Sequence, residues 1–169
     1  MNIRIAGTVN DSIVDGTGFR YTIFTQGCPH HCPGCHNPHT HDFEGGKDAD
    51  TEEIIREFSK NILLSGITLS GGEPFCQAEA CCELARGAKK MGMNVWAYTG
   101  YTFEELMAGF EAHPEWETLL GLIDVLVDGR FEMNLRSLEC KWRGSKNQRI
   151  LDAKASVGAG RAVEKKLEE

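Results

Sequence analysis

The stretch Gly66-Ile67-Thr68-Leu69-Ser70-Gly71-Gly72-Glu73-Pro74 passes from a short apolar and β-branched run into two glycines and a proline. Gly66 to Ser70 has the composition of a strand, and Gly71 to Pro74 that of the turn ending it. From Gln77 the pattern takes a helical period, with Cys81, Leu84, Ala85, Ala88 and Met91 on one stripe and Gly92 placed to stop it. Strand, turn and helix in direct succession predict a βα unit. A chain that repeats such units builds an α/β fold with a mainly parallel sheet and right-handed crossovers.

The alternation continues on both sides. Upstream, Ile3 to Val9 and Arg20 to Thr25 read as strands, separated by Ile13-Val14 and the turn Asp15-Gly16-Thr17-Gly18. His39 to Asp48 is polar and glycine-containing and reads as irregular. Asp50-x-x-Glu53 resembles a capping box before a helix with Ile54, Ile55, Phe58 and Ile62 on one face. Downstream, Asn94 to Thr99 predicts a strand closing at Gly100, with one of Trp96 and Tyr98 at the mouth and the other beneath a helix. Thr102-x-x-Glu105 caps a helix carrying Leu106, Met107 and Phe110, and another helix starts near Pro114. The apolar run Ile123 to Val127, ending at Asp128-Gly129, predicts a strand buried on both faces. Phe131 to Glu169 is less regular, and its last nine residues read as a charged, frayed or helical end. No repeat or linker divides the chain, so residues 1–169 are read as a single domain.

At 169 residues, with 41% hydrophobic and 25% charged residues, the composition is that of an ordinary globular protein. A formal net charge of −7 argues against a nucleic-acid partner, which would need a basic surplus. No stretch approaches the roughly 18 apolar residues of a membrane span. The start of the chain lacks the apolar run of a secretory signal, so a cytoplasmic protein is expected. Seven cysteines, an odd number, then read as reduced thiols, metal ligands and core fillers rather than a disulfide framework.

Folds of this kind carry their ligands on loops after the C-terminal ends of parallel strands. Four such ends hold unusual chemistry: Cys28 to Cys35, Gly71 to Pro74, Tyr98 to Gly100, and Asp128-Gly129. One mouth should collect all four. Cys28, Cys32 and Cys35 are separated by three and then two residues in a proline- and glycine-rich loop. Spacing alone leaves three readings open: an iron–sulfur cluster, a zinc site or uncoordinated thiols. Zinc would need a fourth ligand from His30, His31, His36 or a remote cysteine. A cubane on three thiolates would keep one iron open for a small molecule. Gly71-Gly72 is either a plain tight turn or a place where backbone meets a ligand. Cys76, Cys81, Cys82 and Cys140 read as core fillers or free thiols.

The cysteine spacing resembles the signature of radical S-adenosylmethionine enzymes, and Ser70-Gly71-Gly72-Glu73-Pro74 resembles their second motif. Asp15-Gly16-Thr17-Gly18-Phe19-Arg20, Gln26-Gly27-Cys28 and Cys35-His36-Asn37-Pro38 are similar to the activases of glycyl-radical enzymes. Tyr98-Thr99-Gly100-Tyr101, the run from Asp124 to Phe131, and Trp142-Arg143-Gly144-Ser145-x-Asn147-Gln148 resemble blocks of the activases of anaerobic ribonucleoside-triphosphate reductases. The similarity runs from Ile13 to Leu151.

The resemblance implies a partial, open radical-SAM-type βα barrel. It implies that Cys28, Cys32 and Cys35 bind a [4Fe–4S] cluster whose fourth iron takes S-adenosylmethionine, with Gly34, Cys35, His36, Gly71, Gly72 and Glu73 around that cofactor. It further implies an electron from a flavodoxin-like or ferredoxin-like donor. The cofactor would be cleaved to a 5′-deoxyadenosyl radical that abstracts hydrogen from a glycine of the reductase. The alternatives are a different glycyl-radical partner, such as pyruvate formate-lyase, and a structural zinc-binding module without chemistry.

Overall fold

The computed structural model describes residues 1–167. Its strands are β1 (Asn2–Ser12), β2 (Arg20–Thr25), β3 (Lys47–Asp50), β4 (Gly66–Gly71), β5 (Asn94–Tyr98), β6 (Val125–Asp128) and β7 (Arg149–Asp152). Its helices are α1 (Thr51–Ser59), α2 (Ala78–Lys90), α3 (Phe103–Ala108), α4 (Pro114–Leu122) and α5 (Ala153–Ala159). One open sheet holds all seven strands in the order β3-β1-β2-β4-β5-β6-β7. Its centre, β2-β4-β5-β6, is parallel, as the βα units require, while β1, β3 and β7 add antiparallel edges. The sheet is thus a mixed one built on a parallel core, the architecture of a partial, open barrel.

Side-chain alternation divides the sheet into two faces. Ile23, Ile67, Leu69, Val95, Ala97 and Leu126 enter one core with Phe58 of α1, Leu84, Ala85 and Ala88 of α2, and Leu119 and Leu120 of α4. Trp96, Val125 and Val127 form a smaller cluster with Tyr98 and Trp142 on the opposite face. Trp96 and Tyr98 therefore share a face instead of facing opposite ways, because residues two apart in a strand point to the same side.

That second face is roofed by loops. Arg20, fully buried, donates from Nε to Thr68 Oγ1 (2.6 Å) and from Nη2 to the Ile67 carbonyl (2.6 Å), and lies 5.5 Å from the Trp96 ring centre. Burial brings its pKa down to about 10, which leaves it charged at neutral pH. Thr68 Oγ1 in turn donates to the Asp15 carbonyl (2.7 Å), and Thr22 Oγ1 to the Asp15 carboxylate (3.0 Å). Asp15 to Arg20 is thereby folded over the sheet.

The structure departs from the sequence pattern at several elements. Lys47 and Asp48, which the polar composition predicted to be irregular, begin the edge strand Lys47–Asp50 paired with β1. At α1, Asp50 accepts from Glu52 N–H (3.1 Å) as N-cap; the helix stops at Ser59, leaving Ile62 93% exposed instead of on the buried face. The Thr102–Glu105 capping box is complete in both halves. Arg149–Asp152 pairs antiparallel with β6 and leads into α5, and the following chain lies extended along β7 through a Leu151–Glu164 bridge rather than helical. Glu168 and Glu169 lie outside the described residues.

Candidate cluster and cofactor site

Thr25 ends β2 opposite Gly71 of β4, so the cysteine loop and the Gly71-Gly72 loop leave the sheet side by side. The cysteine loop is closed at its base: Gly27 N–H donates to the Thr40 carbonyl (2.7 Å), Cys28 N–H to His41 (3.1 Å), and Gln26 Nε2 to the carbonyls of His39 and Asp42. Within it, Cys35 N–H donates to the Cys32 carbonyl (3.1 Å), and His31 and Gly34 take positive φ. These turns direct Cys28, Cys32 and Cys35 into one cavity of about 430 Å³. Ser70, Gly71, Gly72, Tyr98, Thr99, Gly100 and Gly129 line it as well, so the four strand ends do share one mouth.

Burial pushes the Cys28 thiol up to about 11 and raises Cys32 in the same direction. Both hold their protons at neutral pH without metal, so metal binding must release them. Three soft thiols on one cavity suit an iron–sulfur cluster. The histidines near the thiols each pack against a neighbour. His30 is bonded to Glu73, His31 stacks edge-on with His41 (5.5 Å), and His36 packs on Phe131 (5.0 Å). Cys140 also lines the cavity, half-buried, instead of filling core.

The glycine pair is required first by the chain itself. Gly71 has φ +93°, and a Cβ there would stand 2.5 Å from Thr25 N. A Cβ on Gly72 would overlap the Gly27 carbonyl oxygen and stand 2.9 Å from Thr40 O. Close packing against the base of the cysteine loop thus strips this loop of side chains, which leaves its backbone bare to the cavity. Cys35, His36, Gly71 and Gly72 lie on the cavity wall; Gly34 and Glu73 do not. Gly34 faces the Met133 side chain.

Glu73 is fully buried, and its carboxylate accepts from His30 Nε2 (2.6 Å), Thr99 Oγ1 (2.8 Å), Gly100 N–H (2.8 Å) and Phe75 N–H (3.1 Å). Its own N–H donates to the Gly27 carbonyl (2.8 Å). The Thr99, Gly100 and Phe75 groups all donate to the carboxylate, and a hydrogen on His30 Nε2 completes the set. Through its side chain, Glu73 therefore clasps three strand-end loops together. The sequence shows Glu73 in its motif, but nothing in it links His30 to Thr99, which lie far apart along the chain.

The late blocks hold the loop that overhangs the cavity. Asp128, buried, accepts from Phe103 N–H (2.8 Å) and from Arg149 (3.0 and 2.5 Å). Gln148 accepts from Gly144 N–H (2.8 Å) and donates to the Gly129 carbonyl (3.0 Å), and Asn147 donates to the Arg130 carbonyl (2.7 Å). These contacts shape residues 129–148 without filling the cavity, while Trp142 packs on Trp96 at 6.0 Å.

Residues 14–151 match a family model described as a 4Fe-4S single cluster domain. The anaerobic ribonucleoside-triphosphate reductase-activating protein of Escherichia coli strain K12 is 35% identical over 145 residues, covering 80% of this chain and 90% of the relative. Its counterpart in Salmonella typhi is 38% identical over 144 residues, with the same coverage. That of Enterobacteria phage T4 is 32% identical over 144 residues, covering 81% and 86%. Among solved structures, QueE from Escherichia coli matches with a TM-score of 0.50 at 21% identity, covering 60% of this chain and 54% of that one, a likeness of fold. The chain belongs to the 4Fe-4S single cluster domain family and, within it, to the anaerobic ribonucleoside-triphosphate reductase-activating proteins.

Proposed function

We propose that this chain installs the glycyl radical of an anaerobic ribonucleoside-triphosphate reductase, using a [4Fe–4S] cluster on Cys28, Cys32 and Cys35 and S-adenosylmethionine beside it. The observation that carries the reading is the meeting of three thiols and the bare Gly71-Gly72 backbone on one cavity, in a chain of this family. When bound, the cluster and cofactor supply reductive cleavage of S-adenosylmethionine, furnishing the 5′-deoxyadenosyl radical that takes hydrogen from a glycine of the reductase. The protein supplies position and exclusion of solvent. Cys28, Cys32 and Cys35 offer three thiolates, so a position stays open for the cofactor. Gly71 and Gly72 leave room for it against the backbone, and His36 closes the adjoining wall. Glu73, through His30, Thr99 and Gly100, keeps these loops in register. Gly34, whose contact is Met133, shapes the turn that aims Cys35.

The reading places the enzyme in the cytoplasm, with its electron drawn from a flavodoxin-like or ferredoxin-like protein; no helix among the described residues is long and apolar enough to cross a membrane. Anaerobic reconstitution followed by iron and sulfide analysis should give close to four of each per chain if the site is a single [4Fe–4S] cluster. Mixing reduced, loaded protein with S-adenosylmethionine and the reductase should produce the paramagnetic resonance doublet of a glycyl radical. A colourless zinc-loaded protein would sink the enzymatic reading, and a doublet with pyruvate formate-lyase alone would move the partner.

A further inference from the structure

The net charge of −7 is unevenly spread. From Arg130 to Arg149, both included, stand six Lys or Arg residues against two Glu, a basic island on an acidic protein. Arg130 is paired with Glu105 (3.0 Å), Arg149 with Asp128 and Glu104, and Arg143 donates to the Gln148 carbonyl (2.7 Å). Arg136, Lys141 and Lys146 are exposed and form no ion pair among the described residues.

The loop that carries them has two sides. Arg136 bridges Ser145 and Lys146 N–H donates to the Leu135 carbonyl (2.9 Å), which brings Arg136 and Lys146 together at its base. Cys140, Trp142 and Arg143 face the cavity. Outward stand Lys141 and Leu138, the latter 95% exposed, with Met133, 56% exposed, nearby in the chain. Met133 lies against Gly34, between Cys32 and Cys35, and Phe131 against His36. The outer surface of this segment is therefore one layer of protein from the cysteine loop.

Resting on the function proposed above, we infer that Arg136, Lys141 and Lys146, set around Leu138 and Met133, form the docking surface of an acidic one-electron carrier protein of the flavodoxin type. Exposed apolar side chains in a segment whose unpaired charges among the described residues are basic in excess, Arg136, Lys141 and Lys146 against Glu132 and Glu139, suit a small, transient interface that opposite charge steers together. The position favours the carrier over the reductase. An electron crosses a layer of packed protein, whereas a hydrogen atom must be taken at bonding contact inside the cavity. In the transfer the anionic flavin hydroquinone loses one electron and becomes the neutral semiquinone. The oxidised cluster gains that electron, and no proton need move.

The test compares two reductants on anaerobically loaded full-length protein and on the variant R136E/K141E/K146E, none of whose residues touches the cavity. With flavodoxin hydroquinone as probe, stopped-flow reduction of the wild-type cluster should slow as salt is raised. In the variant it should fall at least about tenfold at low ionic strength and lose that salt dependence. With photoreduced deazaflavin, cluster reduction and glycyl-radical yield should match wild type, and iron content should be unchanged. Equal flavodoxin rates in both proteins would overturn the inference. So would a radical yield that falls under deazaflavin, because the surface would then serve the reductase. A wild-type protein that makes no glycyl radical with either reductant would instead refute the proposed function, while the flavodoxin rates still judge the surface.

Discussion

Glu73 has no solvent to fall back on, so its environment sets what a substitution costs. Its carboxylate collects four donors from three loops, and removal leaves His30, Thr99 Oγ1 and two backbone N–H groups without an acceptor. Glu73→Ala should lower stability by about 3–5 kcal/mol, the range for breaking a buried pair, in anaerobic urea unfolding. Glu73→Gln should cost less, about 1–3 kcal/mol, because one oxygen survives while the amide nitrogen opposes a donor. Equal midpoints for both variants would show that the clasp is idle. Gly72 presents a steric case. A Cβ there runs into the Gly27 carbonyl and Thr40 O, backbone atoms with little freedom to yield. Gly72→Ala should destabilise by about 1–3 kcal/mol and weaken S-adenosylmethionine binding in equilibrium titrations. Gly121, inside α4 with open space where a Cβ would stand, makes the contrast: Gly121→Ala should stabilise by about 0.5–1 kcal/mol.

At the scale of elements, legibility in the sequence followed hydrophobic pattern and caps. Arg20–Thr25, rich in β-branched and aromatic residues, could be bounded from composition alone, and Thr102 with Glu105 announced α3. The edge strand Lys47-Asp48-Ala49-Asp50 has no apolar alternation; it exists because β1 offers it partners from Asn2 to Ile5. β7 carries only Ile150 and Leu151 as apolar residues, and its pairing with β6 spans a loop whose order comes from Asn147 and Gln148 contacts that no local pattern signals. The same division holds at the site. The cysteine spacing and the glycine pair were visible because they are local, while the His30–Glu73–Thr99 clasp and the approach of Cys140 arise only on folding. Helix α2 provides the matching test. Cys82 is buried on it against the helix-side core, on the face of the sheet away from the cavity. Cys82→Ala should cost about 1 kcal/mol and leave iron content intact, whereas Cys32→Ala should abolish cluster assembly. Loss of iron in the Cys82 variant would mean that this thiol is no core filler.

The described residues form a sheet with one face sealed by helices and the other roofed by loops. On the helix side, Ile23, Ile67, Leu69 and Leu126 are fully excluded from water, and the parallel ladders between them cannot open without exposing that core. On the other side, residues 28–41 and 130–148 are joined mainly by hydrogen bonds between loops rather than by helix or sheet ladders, and most of their residues are half-buried or exposed. Local opening should therefore be far cheaper in these loops than in β2, β4 and β5. Hydrogen exchange of the metal-free protein should show the loop amides exchanging by local fluctuation, and those of the central strands only through global unfolding. Loading the cluster should slow the amides of residues 28–37, since three thiolates fixed to one rigid group tie down the turns between them. It should leave α5, which packs beside β7 away from the cysteines, unchanged beyond the general gain in stability. Protection arriving equally in α5 and in the cysteine loop would mean that the roof and the sheet open as one unit, and the cavity would then be no more mobile than the core beneath it.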